Sequence, residues 1–373
     1  MTVKNIIDFL ETIAPPSLQE DYDNAGLIIG NKEAECSGAL ICLDTTEEVL
    51  QEAIANKCNL VIAHHPAIFR GLKKINGKNY TERIVITAIK NDIALYAIHT
   101  NLDNVLAGVN GKIAEKLGLK HTRVLQQKDL QLKKLITFAP ASMAKKVQEA
   151  IFAAGGGNIG KYSECSFISE GDSTFKPGEG ADPTVGKIGV REESKELKME
   201  FIFQSYLEEK VISAMKEAHE YEEVAYDVLP LGNYLSDTGS GLIGELPDEM
   251  NEKDLLTDMA EIFNLSVIRH SPFCGKKIKK VAVCGGAGSF LIGAAKAAGA
   301  TVYISSDLKY HEFFDAEAEI LLADIGHYES EQFTTDLLYD LLKDKFLNFA
   351  LLKTGVNTNP VHCFVPQKKL NTK

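Results

Sequence analysis

Residues 60–66 read Leu-Val-Ile-Ala-His-His-Pro, an apolar stretch that runs directly into two histidines and a proline. Four consecutive apolar residues are typical of a strand buried on both faces, as in a parallel sheet covered by helices. Adjacent strand residues point to opposite faces, so His64 and His65 converge only if the strand ends there. Pro66 supplies that end, because a proline disfavours the α conformation in the residue before it. We therefore expect both imidazoles to face one site at the carboxyl end of this strand.

Buried strands alternate with helices on both sides of this stretch. Strands are predicted at Ala39–Leu43, Leu60–Ala63, Ile93–Ile98, Ile278–Cys284, Thr301–Ser305 and Ile320–Ile325, with an edge strand at Ala350–Leu352. Helices are predicted at Asn5–Ile13, Glu47–Lys57, Thr81–Lys90, Lys112–Leu117, Ser289–Ala298, Tyr310–Phe314 and Tyr328–Lys343. The alternation predicts an α/β fold in which residues 1–130 and 233–373 are two halves of one domain.

The pattern between these halves is different. Strands are predicted at Lys134–Ala139, Tyr162–Ser169, Lys187–Val190, Lys198–Phe203 and Val224–Leu229, helices at Ser142–Ala153 and Leu207–His219, and a Gly- and Pro-rich loop at Gly171–Gly186. Two β-α-β units fit a ferredoxin-like α+β module. Since the α/β pattern resumes after residues 239–244, we predict that residues 131–232 are a domain inserted into the first one.

Charge and composition exclude several classes of protein. The 373 residues carry a formal net charge of −12, and no lysine or arginine run forms the basic stripe that a nucleic-acid or anionic-membrane surface requires. An acidic average still leaves room for a local anion pocket. The seven cysteines form no Cys-x-x-Cys pair, which predicts free thiols in a reducing compartment. With no signal-peptide core and no apolar run of roughly 20 residues, we expect a cytoplasmic protein without membrane spans.

Histidines and carboxylates follow two further predicted strands. His99 and Asp103 follow Ile93–Ile98, and His327 follows Ile320–Ile325 at the start of a helix that places Glu331 four residues on, on the same face. Because the carboxyl ends of strands in an open parallel sheet share one edge, we expect these side chains to meet. One histidine at a strand end is usually an ordinary polar group, but three such clusters favour a metal site. The predicted ligands are His64, His65, Asp103, His327 and Glu331. Imidazoles and carboxylates without a thiolate suit zinc, iron, manganese or cobalt.

A glycine-rich loop, Cys284-Gly-Gly-Ala-Gly-Ser289, lies between a predicted strand and a predicted helix. Backbone N–H groups in such a loop can bind a phosphate, which makes Gly286 and Gly288 candidate substrate contacts; a tight turn without a ligand is the alternative. Leu291 replaces the third glycine of a dinucleotide-binding motif, so that fold is not predicted. After the next strand, Asp307, Lys309 and His311 are further candidate substrate contacts, with helix capping as the alternative.

These motifs occur together in one known family. In chain order they are Asp23-Asn-Ala-Gly-Leu27, His64-His-Pro66, His99-Thr-Asn-Leu-Asp103, Cys284-Gly-Gly-Ala-Gly288 and Gly326-His-Tyr-Glu-Ser-Glu331. The chain resembles the NGG-interacting-factor-three-like family, also called GTP cyclohydrolase I type II homologues, from end to end. The resemblance implies a toroidal homohexamer with a dinuclear metal site, held by the five predicted ligands with His99 beside them. It also implies that the insert, with stretches such as Gly160-Lys-Tyr162, is similar to the PII and CutA folds.

Two functions from different classes are consistent with these features. The first is a hydrolase with two divalent metal ions, for which zinc is preferred to iron or manganese. In this hydrolase His99 acts as general acid or base. Its substrate would be a nucleotide-like small molecule, opened at a purine ring as in GTP cyclohydrolase chemistry or cleaved at a phosphoester. The alternative is a metal-binding regulatory or scaffold protein whose insert senses a small molecule or a partner.

Overall fold

The computed structural model describes residues 1–129 and 131–364. The strands in these ranges are β1 (Gly26–Ile29), β2 (Ala39–Cys42), β3 (Leu60–Ala63), β4 (Ala94–Ala97), β5 (Lys120–Gln127), β6 (Leu132–Ala139), β7 (Phe167–Phe175), β8 (Glu192–Gln204), β9 (Tyr226–Leu231), β10 (Gly239–Asn251), β11 (Arg269–His270), β12 (Lys277–Ala287), β13 (Val302–Ser306), β14 (Leu321–Asp324) and β15 (Leu351–Lys353). The α-helices are α1 (Val3–Ile13), α2 (Glu47–Ala55), α3 (Tyr80–Lys90), α4 (Thr100–Asp103), α5 (Val109–Lys116), α6 (Ala141–Ala153), α7 (Glu208–Ala218), α8 (Glu252–Ile262), α9 (Ile292–Ala297), α10 (His327–Glu331) and α11 (Thr334–Lys345). The described chain is a mixed α/β protein with several sheets.

Residue contacts divide the chain into two compact units. The larger contains residues 1–127 and the described chain from Ser236 onward, and the smaller is Lys128–Leu235. No helix in the described ranges has the length and apolar character needed to cross a membrane.

One sheet of the larger unit has the order β1-β4-β3-β2-β15. Strands β15, β2, β3 and β4 are parallel, and β1 runs antiparallel to β4. Strands β2, β3 and β4 are buried along their whole length, as their uninterrupted apolar sequence predicts. The predicted edge strand near residue 350 is β15, which pairs with β2.

The other sheet of the larger unit has the order β11-β14-β13-β12-β10-β5. In this sheet β12, β13 and β14 run parallel to one another. The long strand β10 pairs antiparallel with both β12 and β5. The expectation that the strands before His64, His99 and His327 share one sheet edge is therefore wrong, because β3 and β4 belong to the first sheet and β14 belongs to the second. The two halves of the sequence also exchange strands, since β15 completes the first sheet and β5 completes the second.

The two sheets share one hydrophobic core. Its buried side chains come from the first sheet (Ile41, Ile62, Tyr96), from the second (Val281, Ile304, Leu321) and from helices α1, α5, α8 and α11. The opposite face of the first sheet packs on α2 and α3, and that of the second packs on α9. Each sheet is thus covered on both faces, and the carboxyl ends of strands from two sheets, rather than one, can meet.

The smaller unit has the element order β6-α6-β7-β8-α7-β9 and a four-stranded antiparallel sheet of order β7-β8-β6-β9. Its core joins Leu135 and Phe201 of the sheet to Val147 of α6 and Met215 of α7. Two local predictions fail here. Part of the predicted loop belongs to β7, a polar and mostly exposed strand with no apolar alternation, and the strand predicted at Lys187–Val190 is not formed.

The predicted C-terminal helix is also different from expectation. It is divided into α10 and α11, and α10 begins at His327. Glu331 consequently ends a helix of five residues instead of lying within a long one.

The core of the first sheet gives a stability prediction. Ile62 is fully buried on the central strand β3, so Ile62→Ala is expected to lower the free energy of unfolding by about 2–5 kcal/mol through lost burial and a residual cavity. Ile89→Ala on the exposed face of α3 is the matched control, with a change within about 0.5 kcal/mol. Urea denaturation followed by circular dichroism measures both. Similar small changes in the two variants would contradict this description of the core.

Candidate metal centre

The histidine pair at residues 64 and 65 lies where β3 ends. The backbone N–H groups of both residues donate to Leu43 O, at 3.1 and 3.0 Å, so the strand's regular pairing stops here. His64 is fully buried and His65 is partly buried. Both rings turn toward the same region, with centroids 4.9 Å apart, as the break in the strand predicts.

The other predicted ligands come from the ends of β4 and β14. His99 immediately precedes α4, whose last residue is Asp103, and His327 is the first residue of α10. Gly326 makes the turn between β14 and α10 with a φ of 90°, a conformation that favours glycine. Ends of strands from both sheets therefore bring all five predicted ligands together, although by a different topology from the one expected.

Each of the four imidazoles is held through Nδ1 by an oxygen that can only accept. The contacts are His64 Nδ1 to Ile98 O (2.8 Å), His65 Nδ1 to Asp44 Oδ1 (2.7 Å), His99 Nδ1 to Asp23 Oδ1 (2.7 Å) and His327 Nδ1 to Asp307 Oδ2 (2.6 Å). Nδ1 must therefore carry the proton. In a neutral ring Nε2 is then unprotonated, and its lone pair is available to a metal ion. Histidine ligands of metals are commonly oriented in this way.

The two carboxylate oxygens of Glu331 face two different groups of ligand atoms. Oε2 lies 3.0 Å from His65 Nε2 and 3.2 Å from His327 Nε2. Oε1 lies 3.7 Å from His64 Nε2, which is itself 3.6 Å from Asp103 Oδ1. Two groups that could hold a metal ion follow, His65/His327/Glu331 and His64/Asp103/Glu331, and a third combines His64 with His65 and His99.

Several atoms of this cluster fit a metal better than they fit one another. His64 Nε2, Asp103 Oδ1 and Glu331 Oε2 are buried and have no hydrogen-bond partner, because the short contacts of Glu331 Oε2 lack hydrogen-bond geometry. Buried polar atoms without partners are costly and rare. His65 Nε2 and His327 Nε2 also approach to 3.3 Å, where two lone pairs, or two N–H groups, would repel. A divalent cation removes both costs, so the donor set fits a metal ion.

The charges of the cluster depend on one another. Burial and the nearby Glu331 raise the pKa of Asp103 well above its usual value. Burial also opposes ionisation of Glu331, but contacts with His327 and His64 outweigh it and hold its pKa well below the usual value. Burial likewise lowers the pKa of His327 and His65, but their carboxylate neighbours raise it to about 11 and about 9. A metal ion therefore competes with protons for these rings.

His99, predicted as a general acid or base, lies against the ligands. Its ring centroid is 5.3 Å from those of both His64 and His65. Burial raises the pKa of Asp23, but its hydrogen bonds with His99 and Thr100 outweigh burial and lower it to about 2. The geometry allows His99 to be a metal ligand as well, so the proton-transfer role stays a prediction.

The glycine-rich loop makes room for the ligands. Gly286 has a φ of 64°, and a Cβ there would lie 2.5 Å from Glu331 Oε1. The N–H of Gly286 donates to Ser330 Oγ (3.0 Å) and that of Gly285 to Asn110 Oδ1 (2.9 Å). A Cβ on Gly288 would lie 2.4 Å from the hydroxyl oxygens of Tyr303 and Ser305. The N–H groups of Gly285 and Gly286 are therefore already bonded within the protein. Substrate contact by Gly286 or Gly288 stays a prediction.

The three candidates after β13 have different positions. Asp307 lines the cavity at the metal centre and holds His327. The Lys309 N–H donates to Glu312 Oε2 (2.7 Å), in agreement with the capping alternative. His311 is exposed and packs edge-on against Tyr310. Neither Lys309 nor His311 is among the described residues that line the cavity.

Two carboxylates that orient imidazoles of the cluster, Asp44 and Asp23, were not predicted as site residues. Asp44, two residues after β2, holds His65 and also accepts a hydrogen bond from Thr358 Oγ1 (2.8 Å). Asp23 accepts hydrogen bonds from His99 Nδ1 and from the Thr100 backbone N–H (3.1 Å). Asp and Asn are common in turns, so the sequence around Asp23 gives no sign of this role. Asp44 has a detectable signal, since it is a carboxylate at the carboxyl end of a predicted strand. Thr358 has none, because it lies in an irregular segment more than 300 residues away.

The chain is similar to known proteins over almost its whole length. Residues 1–360 match the family model described as Duf34/NIF3 (NGG1p interacting factor 3). Proteins named GTP cyclohydrolase 1 type 2 homolog from Bacillus subtilis (strain 168) and Halalkalibacterium halodurans are 37% and 38% identical over 362 residues, which is 96% of this chain and 97% of each relative. The crystal structure of a Bacillus cereus protein related to NIF3 is 39% identical, with a TM-score of 0.82 and coverage of 98% of this chain and 99% of that one.

Removal of the shared carboxylate should empty the centre. Glu331→Gln is expected to lose most of the metal bound by the wild type after equilibration with zinc, because both ligand groups lose an anionic oxygen. Glu329→Gln, on the same short helix but outside these groups, should keep it. Inductively coupled plasma mass spectrometry of the purified full chain measures both. Equal zinc content in Glu331→Gln and the wild type would refute the assignment.

Substitution of a carboxylate that orients an imidazole should weaken zinc binding less than substitution of Glu331. Asp44→Ala removes the acceptor that fixes His65, and we expect a roughly 10–100-fold weaker affinity for zinc. Asp8→Ala, at an exposed ion pair on α1, is the control. Competition with a chromophoric chelator gives the affinities. No difference between the two variants would show that His65 does not need Asp44.

Proposed function

This chain belongs to the Duf34/NIF3 (NGG1p interacting factor 3) family, and on that premise we propose that it is a hydrolase with a dinuclear metal centre and a nucleotide-like substrate. The observation that carries the proposal is the position of Glu331. Its two oxygens face two different groups of ligand atoms, so one carboxylate can bind two ions. His65 and His327 would hold one ion, and His64 and Asp103 the other.

Two divalent ions bound in such a site would activate water and the substrate as Lewis acids. We expect zinc rather than iron or manganese. The protein's own groups then have separate tasks. Asp44 and Asp307 hold His65 and His327 in the orientation that keeps Nε2 toward the centre. We assign proton transfer to His99, oriented by Asp23: it would accept a proton from the attacking water and return it to the leaving atom.

The names of the relatives suggest hydrolytic opening of a purine ring. The bonded N–H groups of Gly285 and Gly286 offer little to a transferred phosphate, which favours ring opening over phosphoester hydrolysis. For the whole chain we further propose a homohexamer in the cytoplasm, on the basis of the family resemblance. A monomeric mass in solution would refute that assembly.

Regulation is the second candidate function. It is favoured by the second compact unit of the chain, which has its own hydrophobic core. We propose that Lys128–Leu235 is a ferredoxin-like, PII-like domain inserted into one metal-binding domain. Its β-α-β-β-α-β order and its β7-β8-β6-β9 sheet support this proposal. In the regulatory alternative, the metal has a structural role and the insert senses a small molecule.

Product formation distinguishes the two functions. Zinc-loaded wild type incubated with GTP and a panel of nucleosides and nucleotides should give a product one water heavier than its substrate, detected by mass spectrometry. Glu331→Ala should give none. Full metal occupancy without turnover of any compound would favour the regulatory function.

His99→Asn separates its two roles. If His99 transfers protons, the variant keeps the wild-type zinc content and loses turnover, expected to be about 10²–10⁴-fold. If His99 is a ligand, zinc content falls together with turnover. The proton-transfer role is refuted by the second result, and also by a variant that keeps both zinc and activity.

A further inference from the structure

A cavity of about 1090 Å³ adjoins the metal centre, and its walls are strongly acidic. Seven carboxylates are among its described lining residues: Glu20, Asp44, Asp103, Asp307, Asp324, Glu329 and Glu331. Arg269 is the one lysine or arginine among them. Two divalent metal ions would add four positive charges and still leave the ionised side chains with a net negative charge.

The arginine is already bound within the protein. Arg269 Nη1 lies 3.4 Å from Asp324 Oδ2, and Nη2 donates to Leu308 O. Its guanidinium also stacks over the Phe313 ring, 5.2 Å from the centroid. A phosphate chain entering the cavity would therefore meet carboxylates, with no uncommitted arginine or lysine among the described lining residues to neutralise it.

Aromatic rings occupy the cavity wall next to the ligands. The Phe69 ring lies 6.2 Å from His99 and 6.3 Å from Tyr22. Both aromatic side chains remain exposed, Phe69 at 47% and Tyr22 at 66% of their surface. The two loops that carry them are joined by a hydrogen bond from Asn24 Nδ2 to Ile68 O (2.6 Å). The two rings form an aromatic surface beside His99, called here the stacking surface. Because their planes are inclined by 49°, a flat ring would lie face-on to one of them and meet the other with its edge.

We propose that the cavity binds a planar nitrogen heterocycle without phosphate, neutral or cationic, that stacks on Phe69 and Tyr22. The substrate class is then the nucleoside or free base rather than the nucleoside triphosphate. Stacking on an aromatic ring is available to every base, and a non-anionic ring avoids repulsion from the carboxylates. This inference rests on the proposed hydrolase function, because it concerns the substrate of the same site.

Calorimetric titration of the zinc-loaded full chain tests the proposal with guanosine, adenosine, cytidine and uridine and their 5′-mono- and triphosphates. At least one nucleoside should bind, and its triphosphate should bind at least about tenfold more weakly. Zinc content measured after each titration excludes stripping of the metal by the phosphates. Tighter binding of a triphosphate than of its nucleoside would overturn the proposal, as would the absence of binding by every compound.

The stacking surface has its own variants. Phe69→Ala should weaken binding of that nucleoside by about fivefold to a hundredfold without changing zinc content, whereas Phe69→Tyr should restore it. Phe314→Ala, an exposed aromatic outside the cavity lining, is the control. Unchanged binding in Phe69→Ala would also overturn the proposal. Nucleoside binding without turnover would refute only the hydrolase function, and turnover of a tightly bound triphosphate would refute only this inference.

Discussion

The buried carboxylate of Glu331 is the constraint on which the structure of the centre depends. Its side chain is 3% exposed and lies within 4 Å of His64, His65 and His327, each held from behind through Nδ1 by an oxygen acceptor. A charge in this position requires opposite charge close by, either protons on the rings or metal ions. The position of Glu331 also explains the glycine at residue 286, because any side chain there would collide with Glu331 Oε1.

The architecture around Glu331 makes this arrangement rigid. His64 and His65 follow a strand of one sheet, His327 follows a strand of the other, and a common hydrophobic core fixes the two sheets to each other. The orienting groups, such as Asp44 and Asp307, also lie just after strands. His64 and His65 directly follow a strand, and Asp103 and Glu331 end short helices that follow strands, so the core of the unit positions them.

The sequence predicts which side chains meet better than it predicts the topology. Strand Leu60–Ala63 and the meeting of His64 with Glu331 follow from apolar runs and polar strand ends, which are local signals. Strand β10 was not predicted, because its Gly239–Asn251 sequence mixes glycines and charges. It pairs with β5 and β12, which are distant in the sequence, and such pairing leaves no local signal. Long-range hydrogen bonds, such as that of Thr358 with Asp44, leave no periodic pattern to detect.

In the proposed function, one carboxylate is shared by two metal ions. Anomalous diffraction from crystals of the full chain grown with zinc, recorded on both sides of the zinc absorption edge, tests this sharing. We expect two anomalous peaks about 3.5–4 Å apart, one near His65 and His327 and the other near His64 and Asp103, with Glu331 between them. A single peak, or two peaks that do not flank Glu331, would contradict it.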